Sequence, residues 1–281
     1  MHRKKSRLNR ILAWAGLIIL LLIFLFPLYW LTVTALKTRS QIVSIPPMFF
    51  FTPTLENFRG VFFTDSGTDT NFKFFFKMSI IISTLSTFFS VLFGALAAYS
   101  VSRFKIRGKD DLMFFILSTR MLPAVATLVP LFLMYRSLRL SDTVHGMVLL
   151  YTMFNLGFTV WMMKSFFDEI PFEYEEAALM DGYSRWEAFI KVVLPQSVTG
   201  LAASAVFSLI ACWNEFVYGA ILTTRYARTV PPAVSVRVGH EGYEWGKIAA
   251  TAFMYVVPVL IFTFLVRKSL LRGLTFGAIK K

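Results

Sequence analysis

Of 281 residues, 56% are apolar, 17% aromatic and only 16% charged, and the mean hydropathy is +0.63. Soluble domains carry about 25% charged residues, and neither a disordered nor a coiled-coil chain would hold 31 phenylalanines; one cysteine, Cys212, excludes a disulfide scaffold. The net charge of +13 sits in clusters beside apolar runs, where it sets membrane topology and meets anionic headgroups, so membrane lipid is expected as a partner and nucleic acid is not.

The first element follows a basic stretch, Arg3 to Arg10. Ile11 to Leu36 holds 26 residues without a charge, and about 20 apolar residues suffice to cross the hydrocarbon core as a helix. A cleavable signal peptide has an apolar core of roughly 7–15 residues and a small-x-small cleavage site. This run is longer and no such site follows, so it reads as a retained helix. Next come an outer loop with the polar stretch Asp65 to Asn71 and a second charge-free run, Met78 to Ser102. Leu112–Tyr135 forms a third span containing Arg120. Thr143 to Met163 forms the fourth, Ser197–Thr224 with Glu215 the fifth, and Ile248 to Val266 the sixth. The expectation is an all-α integral membrane protein with six transmembrane helices.

Orientation follows the basic residues. Seventeen Lys and Arg lie in the two tails and in the loops Arg103–Lys109 and Lys164–Gln196, against eleven in the opposite loops. Both termini are therefore expected in the cytoplasm. The chain divides into an N-tail (1–10), a first transmembrane helix (11–36), an outer, periplasmic loop (37–74), a five-helix core (75–267) with a long inner loop at about 165–196, and a cytoplasmic C-tail (268–281).

That inner loop is too long to be a mere connection, since helix–helix loops run about 2–8 residues. Pro171 suits the first turn of a helix, and Glu173, Glu175 and Glu176 favour the positive end of its dipole. Ala177-Ala178-Leu179-Met180 propagates, and Gly182 can take the left-handed conformation that ends a helix. Ser184-Arg185-Trp186-Glu187 is a capping box for a second short helix, which Leu194-Pro195 is expected to break where the next span begins. The pattern is a helix–turn–helix on the cytoplasmic face.

Reaction chemistry is absent from the sequence. Gly108-Lys109 and Gly246-Lys247 do not complete a P-loop. His2, His145 and His240 are far apart and one cysteine makes no thiolate cluster, so no metal site is expected. No catalytic residue is assigned. Arg120 and Glu215 are charges inside spans, which mark a pathway or pair with each other; they read as a salt bridge between the third and fifth spans, or as packing and snorkelling groups. Asn155, Asn214 and Tyr218 offer hydrogen bonds to hydroxyls, with Trp213 or Phe216 as a stacking face.

Glu176-Ala177-Ala178, Gly182, Ile190 and Leu194-Pro195 fit the spacing E-A-A-x-x-x-G-x₇-I-x-x-x-L-P. The string resembles the EAA motif of the permease subunits of binding-protein-dependent ABC importers. Arg120-Met121-Leu122-Pro123, Trp213-Asn214-Glu215-Phe216, Trp245-Gly246 and Arg272-Gly273-Leu274-Thr275-Phe276-Gly277-Ala278 are similar to the carbohydrate branch of that family. Tyr183 after Gly182 and the ending Ala278-Ile279-Lys280-Lys281 depart from it.

The resemblance implies the type I ABC importer transmembrane fold in a bacterial or archaeal plasma (inner) membrane. It implies a pore shared with a second, homologous permease subunit in a heterodimer. A dimer of P-loop ATPase chains binds ATP and Mg, leaving this chain without a cofactor, and an extracytoplasmic sugar-binding protein delivers the substrate. By resemblance Glu176, Ala177, Ala178, Asp181, Gly182, Leu194 and Pro195 couple to the ATPase. Arg120, Asn155, Trp213, Asn214, Glu215 and Tyr218 are candidates for the substrate pathway. Gly239, His240, Glu241, Gly242 and Tyr243, in the outer loop that probes the binding protein in maltose-type members, are candidates for that contact. The alternative is an ion-coupled secondary transporter, which calls for more membrane acids and paired broken helices in two repeats; the sequence offers one membrane acid and no internal repeat.

Overall fold

A computed structural model of the chain describes residues 7–63, 72–234 and 244–276, and every regular element among them is helical. The chain forms two units, residues 1–72 with 234–257 and residues 73–233 with 258–281.

The first unit is built on α1 (Arg7–Ala35), the short α2 (Arg39–Ile42) and α3 (Glu56–Phe63), with the opening turns of the last helix, Trp245–Phe276. The end of α1 leaves carbonyls without helical partners. Asn57 on α3 satisfies two, donating its amide to the Ala35 and Lys37 oxygens at 2.9 and 2.7 Å. Lys37, 4% exposed, folds inward: its ammonium donates to the Met48 oxygen at 2.6 Å and lies over the rings of Trp30 and Phe51.

The second unit holds most of α4 (Phe72–Arg103), then α5 (Lys109–Ser118), α6 (Ala124–Ser137) and α7 (Val144–Asp168). Beyond them run α8 (Glu173–Met180), α9 (Arg185–Ala188), a π-helical stretch Phe189–Val193, α10 (Leu194–Gln196), α11 (Val198–Trp213) and α12 (Val217–Leu222). Helices α4, α7 and α11 cross closely, with small and hydroxylated residues at the crossings, the packing that hydrocarbon favours. Ser86 and Ser90 donate to the Val148 and Thr152 carbonyls, both at 3.3 Å, and Thr159 meets Ser208 at 3.3 Å. A Cβ on Gly157 would lie 2.9 Å from the Ile116 carbonyl oxygen, so only glycine fits that approach.

Among the described residues four helices are long and apolar enough to span a membrane, and two bent pairs bring the number to six if each pair is one span. The third expected span is not one straight helix. It turns by 92° between Lys109–Met121 and Ala124–Ser137, because Pro123 has no N–H to give and holds Leu122 extended at φ −65°, ψ 125°. The fifth is interrupted after Trp213 and resumes as α12. Leu194-Pro195 does not break the helix before it: the chain stays helical to Gln196 through the π-helical stretch, and the 76° bend falls between Gln196 and Val198.

Candidate functional site

Two places carry the chemistry the sequence singled out. The first is the helix–turn–helix between α7 and α11. Helix α8 ends as expected: Gly182 takes φ +91°, the Tyr183 amide donates to the Ala178 oxygen and the Gly182 amide to the Leu179 oxygen, both at 3.1 Å, the paired bonds of a Schellman stop. The second helix starts on the expected capping box. Ser184 Oγ accepts from the Glu187 amide at 3.2 Å, and Glu187 accepts from the Ser184 amide at 3.0 Å. The amide and hydroxyl of Ser184, with Lys191 beside them, hold the Glu187 carboxyl down at about 2.

The loop has two unlike faces. Glu176, Ala177, Met180, Asp181, Gly182 and Pro195 are exposed, whereas Ala178 is buried and Leu194 half-buried. Hence only one of the two alanines of the motif faces outward. Glu175, which the sequence placed with the dipole-favouring acids, is 4% exposed and points inward. Its carboxylate pairs with Arg103 at the end of α4 and accepts the Tyr99 hydroxyl at 2.8 Å.

The second place is a cavity of about 200 Å³ among α6, α7, α11 and α12. Arg120, Asn155, Glu215 and Tyr218 line it together with Tyr151 and Phe154. Among the described residues Arg120 and Glu215 form no ion pair. The Arg120 guanidinium donates to Asn155 Oδ1 at 3.3 Å and lies 5.1 Å over the Phe158 ring. Glu215 is engaged by the interruption between α11 and α12: it accepts the amides of Tyr218 and Gly219 at 2.8 and 3.1 Å and the Tyr151 hydroxyl at 2.6 Å. Free amides at a helix start in hydrocarbon demand such an acceptor, so the carboxylate caps α12.

Trp213 and Asn214 do not line this cavity. Trp213 is buried edge-on to Phe76 and borders a separate groove, and Asn214 turns back to the Ile210 carbonyl at 3.0 Å. The aromatic wall is Phe154 stacked on Tyr218, centroids 4.7 Å apart. The sequence reading missed Tyr151 and Phe154. Their signal is the spacing of Tyr151, Phe154 and Asn155 on one helical face. Gly239, His240, Glu241, Gly242 and Tyr243 lie outside the described residues.

At the opposite edge of this unit, Asp142 fastens the turn before α7 to the segment after α12. It accepts the amides of Thr224, Arg225, Tyr226 and Ala227 at 3.0–3.1 Å and the Thr224 hydroxyl at 2.8 Å. Partial burial alone would raise this carboxyl; the amides of Ala227, Tyr226 and Arg225 and the Thr224 hydroxyl outweigh it and hold it below the usual range.

Comparison with known proteins assigns the chain to one family. Residues 90–269 match the model of the binding-protein-dependent transport system inner membrane component. The chain is 32% identical to the trehalose/maltose transport system permease protein MalG of Thermococcus litoralis over 99% of both chains. It is 34% identical to the trehalose transport system permease protein SugB of Mycobacterium tuberculosis, over 91% of this chain and 92% of that one. Its fold matches a chain of a bacterial ABC transporter described as importing the acidic polysaccharide alginate, with a TM-score of 0.75 at 21% identity, covering 95% of this chain and 99% of the other. With a family match over more than half its length and such relatives along nearly all of it, the chain belongs to the binding-protein-dependent transport system inner membrane components, the permease subunits of ABC importers, in the branch that the trehalose/maltose and trehalose permeases represent.

Proposed function

We propose that this chain is one membrane-spanning half of an ATP-driven sugar importer and couples to its motor through the loop at about 165–196. The observation that carries the reading is the two-faced helix–turn–helix. Glu176, Ala177, Asp181 and Gly182 stand exposed on a helical knob whose other face is pinned to the membrane helices. An exposed acid beside a small residue and a tight turn fits a groove with a basic wall, and ATP and Mg are bound by that partner, a separate P-loop ATPase. Both termini are cytoplasmic in this reading, the membrane is the inner membrane, and a second permease completes the pore.

Two of the relatives are named for trehalose/maltose and trehalose, and sugar is the substrate class that the cavity suits. Arg120, Asn155 and Tyr218 offer polar groups beside the stacked Phe154–Tyr218 pair, the mixture of apolar wall and few placed hydrogen-bonding groups typical of ligand sites. In this reading a binding protein on the outer side delivers the sugar, in keeping with a family described as part of binding-protein-dependent transport systems.

Purification of the tagged chain in mild detergent tests the reading. Co-purification of a second permease and an ATPase with a P-loop, together hydrolysing ATP, is the expected result. A chain that purifies alone, and takes up sugar in vesicles on a proton gradient without ATP, would replace the importer with a secondary transporter.

A further inference from the structure

The acids at the start of α8 divide their work. Glu176 is exposed, whereas Glu175 and Arg103 are both buried, with side chains 5% and 6% exposed. A buried ion pair is sustained only where the remaining lone pairs and protons also find partners, and here they do. Glu175 takes the Tyr99 hydroxyl, while Arg103 donates to the Ile170 carbonyl at 3.0 Å and to Ser102 Oγ at 3.3 Å. Ser102 in turn donates to Asp168 at the end of α7 at 2.5 Å, and Asp168 pairs with Lys164. Tyr99 also reaches the other arm of the loop: its ring lies 4.4 Å from that of Phe189 in the π-helical stretch. One residue of α4 thus touches both arms of the loop, by its hydroxyl and by its ring.

We propose that Tyr99, Arg103 and Glu175 form a rigid joint that locks the helix–turn–helix to the inner end of α4, so that a push on the loop's exposed face moves α4 instead of bending the loop. These are positioning residues. The inference rests on the coupling reading above and adds where the displacement is delivered. Among the described residues the bonds of this joint use none of the Glu176, Ala177 and Asp181 side chains, which leaves those groups to a partner. A pair buried on both sides holds its geometry because opening it leaves an uncompensated charge behind.

The test uses nitroxides at Ser100→Cys on α4 and Met180→Cys on α8, both exposed, with Cys212→Ala, in the complex purified with its ATPase and placed in phosphatidylethanolamine–phosphatidylglycerol nanodiscs. The joint predicts one narrow distance distribution, unshifted between the nucleotide-free and the Mg–ATP–vanadate-trapped states, that broadens in Glu175→Gln. A shift on trapping, or an unchanged width in both Glu175→Gln and Arg103→Gln, would overturn it. Where those variants do not insert, Tyr99→Phe, which removes one hydroxyl, serves: a smaller broadening supports the joint and an unchanged width overturns it. If no ATPase co-purifies, the coupling reading falls by itself, and the widths of the chain alone still decide whether the joint exists.

Discussion

The helix–turn–helix loop at about 165–196 and the cavity among the spanning helices both gather charged residues, yet they use them in opposite ways. In the loop the inward acid, Glu175, is neutralised by Arg103, and this releases Glu176 to face outward. In the cavity nothing is released by Glu215: its carboxylate is taken up by the amides of Tyr218 and Gly219 and by Tyr151. The contrast follows from the surroundings. Water can solvate an outward acid on an exposed loop, whereas in hydrocarbon the Glu215 carboxylate is drawn to the free amides of the backbone break beside it. A charge inside a span is therefore weaker evidence of substrate contact than an exposed charge on a pinned helix is of a partner.

The sharpest way to break the comparison is in the loop. Gly182→Pro demands φ near −65° where the chain has +91°, and it removes the amide that donates to Leu179, a cost of about 3 kcal/mol or more. Uptake is expected to be abolished while membrane insertion, read by fractionation, is unchanged; normal uptake would detach the loop from transport. Glu176→Lys should act alike through charge alone.

In the cavity, Glu215→Ala leaves two amides and a hydroxyl without an acceptor, for a loss of about 2 kcal/mol, read as a lower thermal midpoint in detergent. Tyr151→Phe removes one of those bonds and should cost about 1 kcal/mol. Equal, negligible losses in both would show that Glu215 does not cap α12.

Asp142→Ala removes the acceptor for four amides and should cost about 1–2 kcal/mol by the measure of a lost side-chain cap. Because this carboxyl is depressed in the folded chain, its contribution is complete above the unfolded value of about 3.9 and is lost as pH falls through the lower folded value. The gap in thermal midpoint between the two proteins should narrow from pH 7 to pH 3; a gap that widens as the pH falls contradicts the assignment. Asn214→Ala, at an exposed site outside the cavity, should change stability by no more than about 0.5 kcal/mol and leave uptake at the wild-type rate. A marked loss of uptake would return Asn214 to the pathway.

What was legible in the sequence was local. Gly182, Ser184 with Glu187, and the charge-free runs each lie within one helix or one turn of their physical cause, and each appears where expected. What was not legible depends on distant partners. Arg103 and Glu175 are 72 positions apart, and only the packing of α4 against the loop brings them together. The orientation of Trp213 and Asn214 depends on where α11 ends, and the four residues Trp213 to Phe216 look alike as motif members although only Glu215 lines the cavity. The kink at Pro123 was visible as a residue but hidden by apolar continuity on both sides, because hydropathy measures length and not straightness.

The most direct test of the central claim, that the exposed face of the inner loop meets the ATPase, is a photo-crosslink from Met180, 89% exposed on that face. With p-benzoylphenylalanine at this position in native membranes, the account predicts an adduct whose partner, by mass spectrometry, carries a P-loop, and an equivalent probe at Trp14 in the first helix that does not yield it. Irradiation that gives no such adduct at Met180, although the complex purifies intact with its ATPase, would contradict the account.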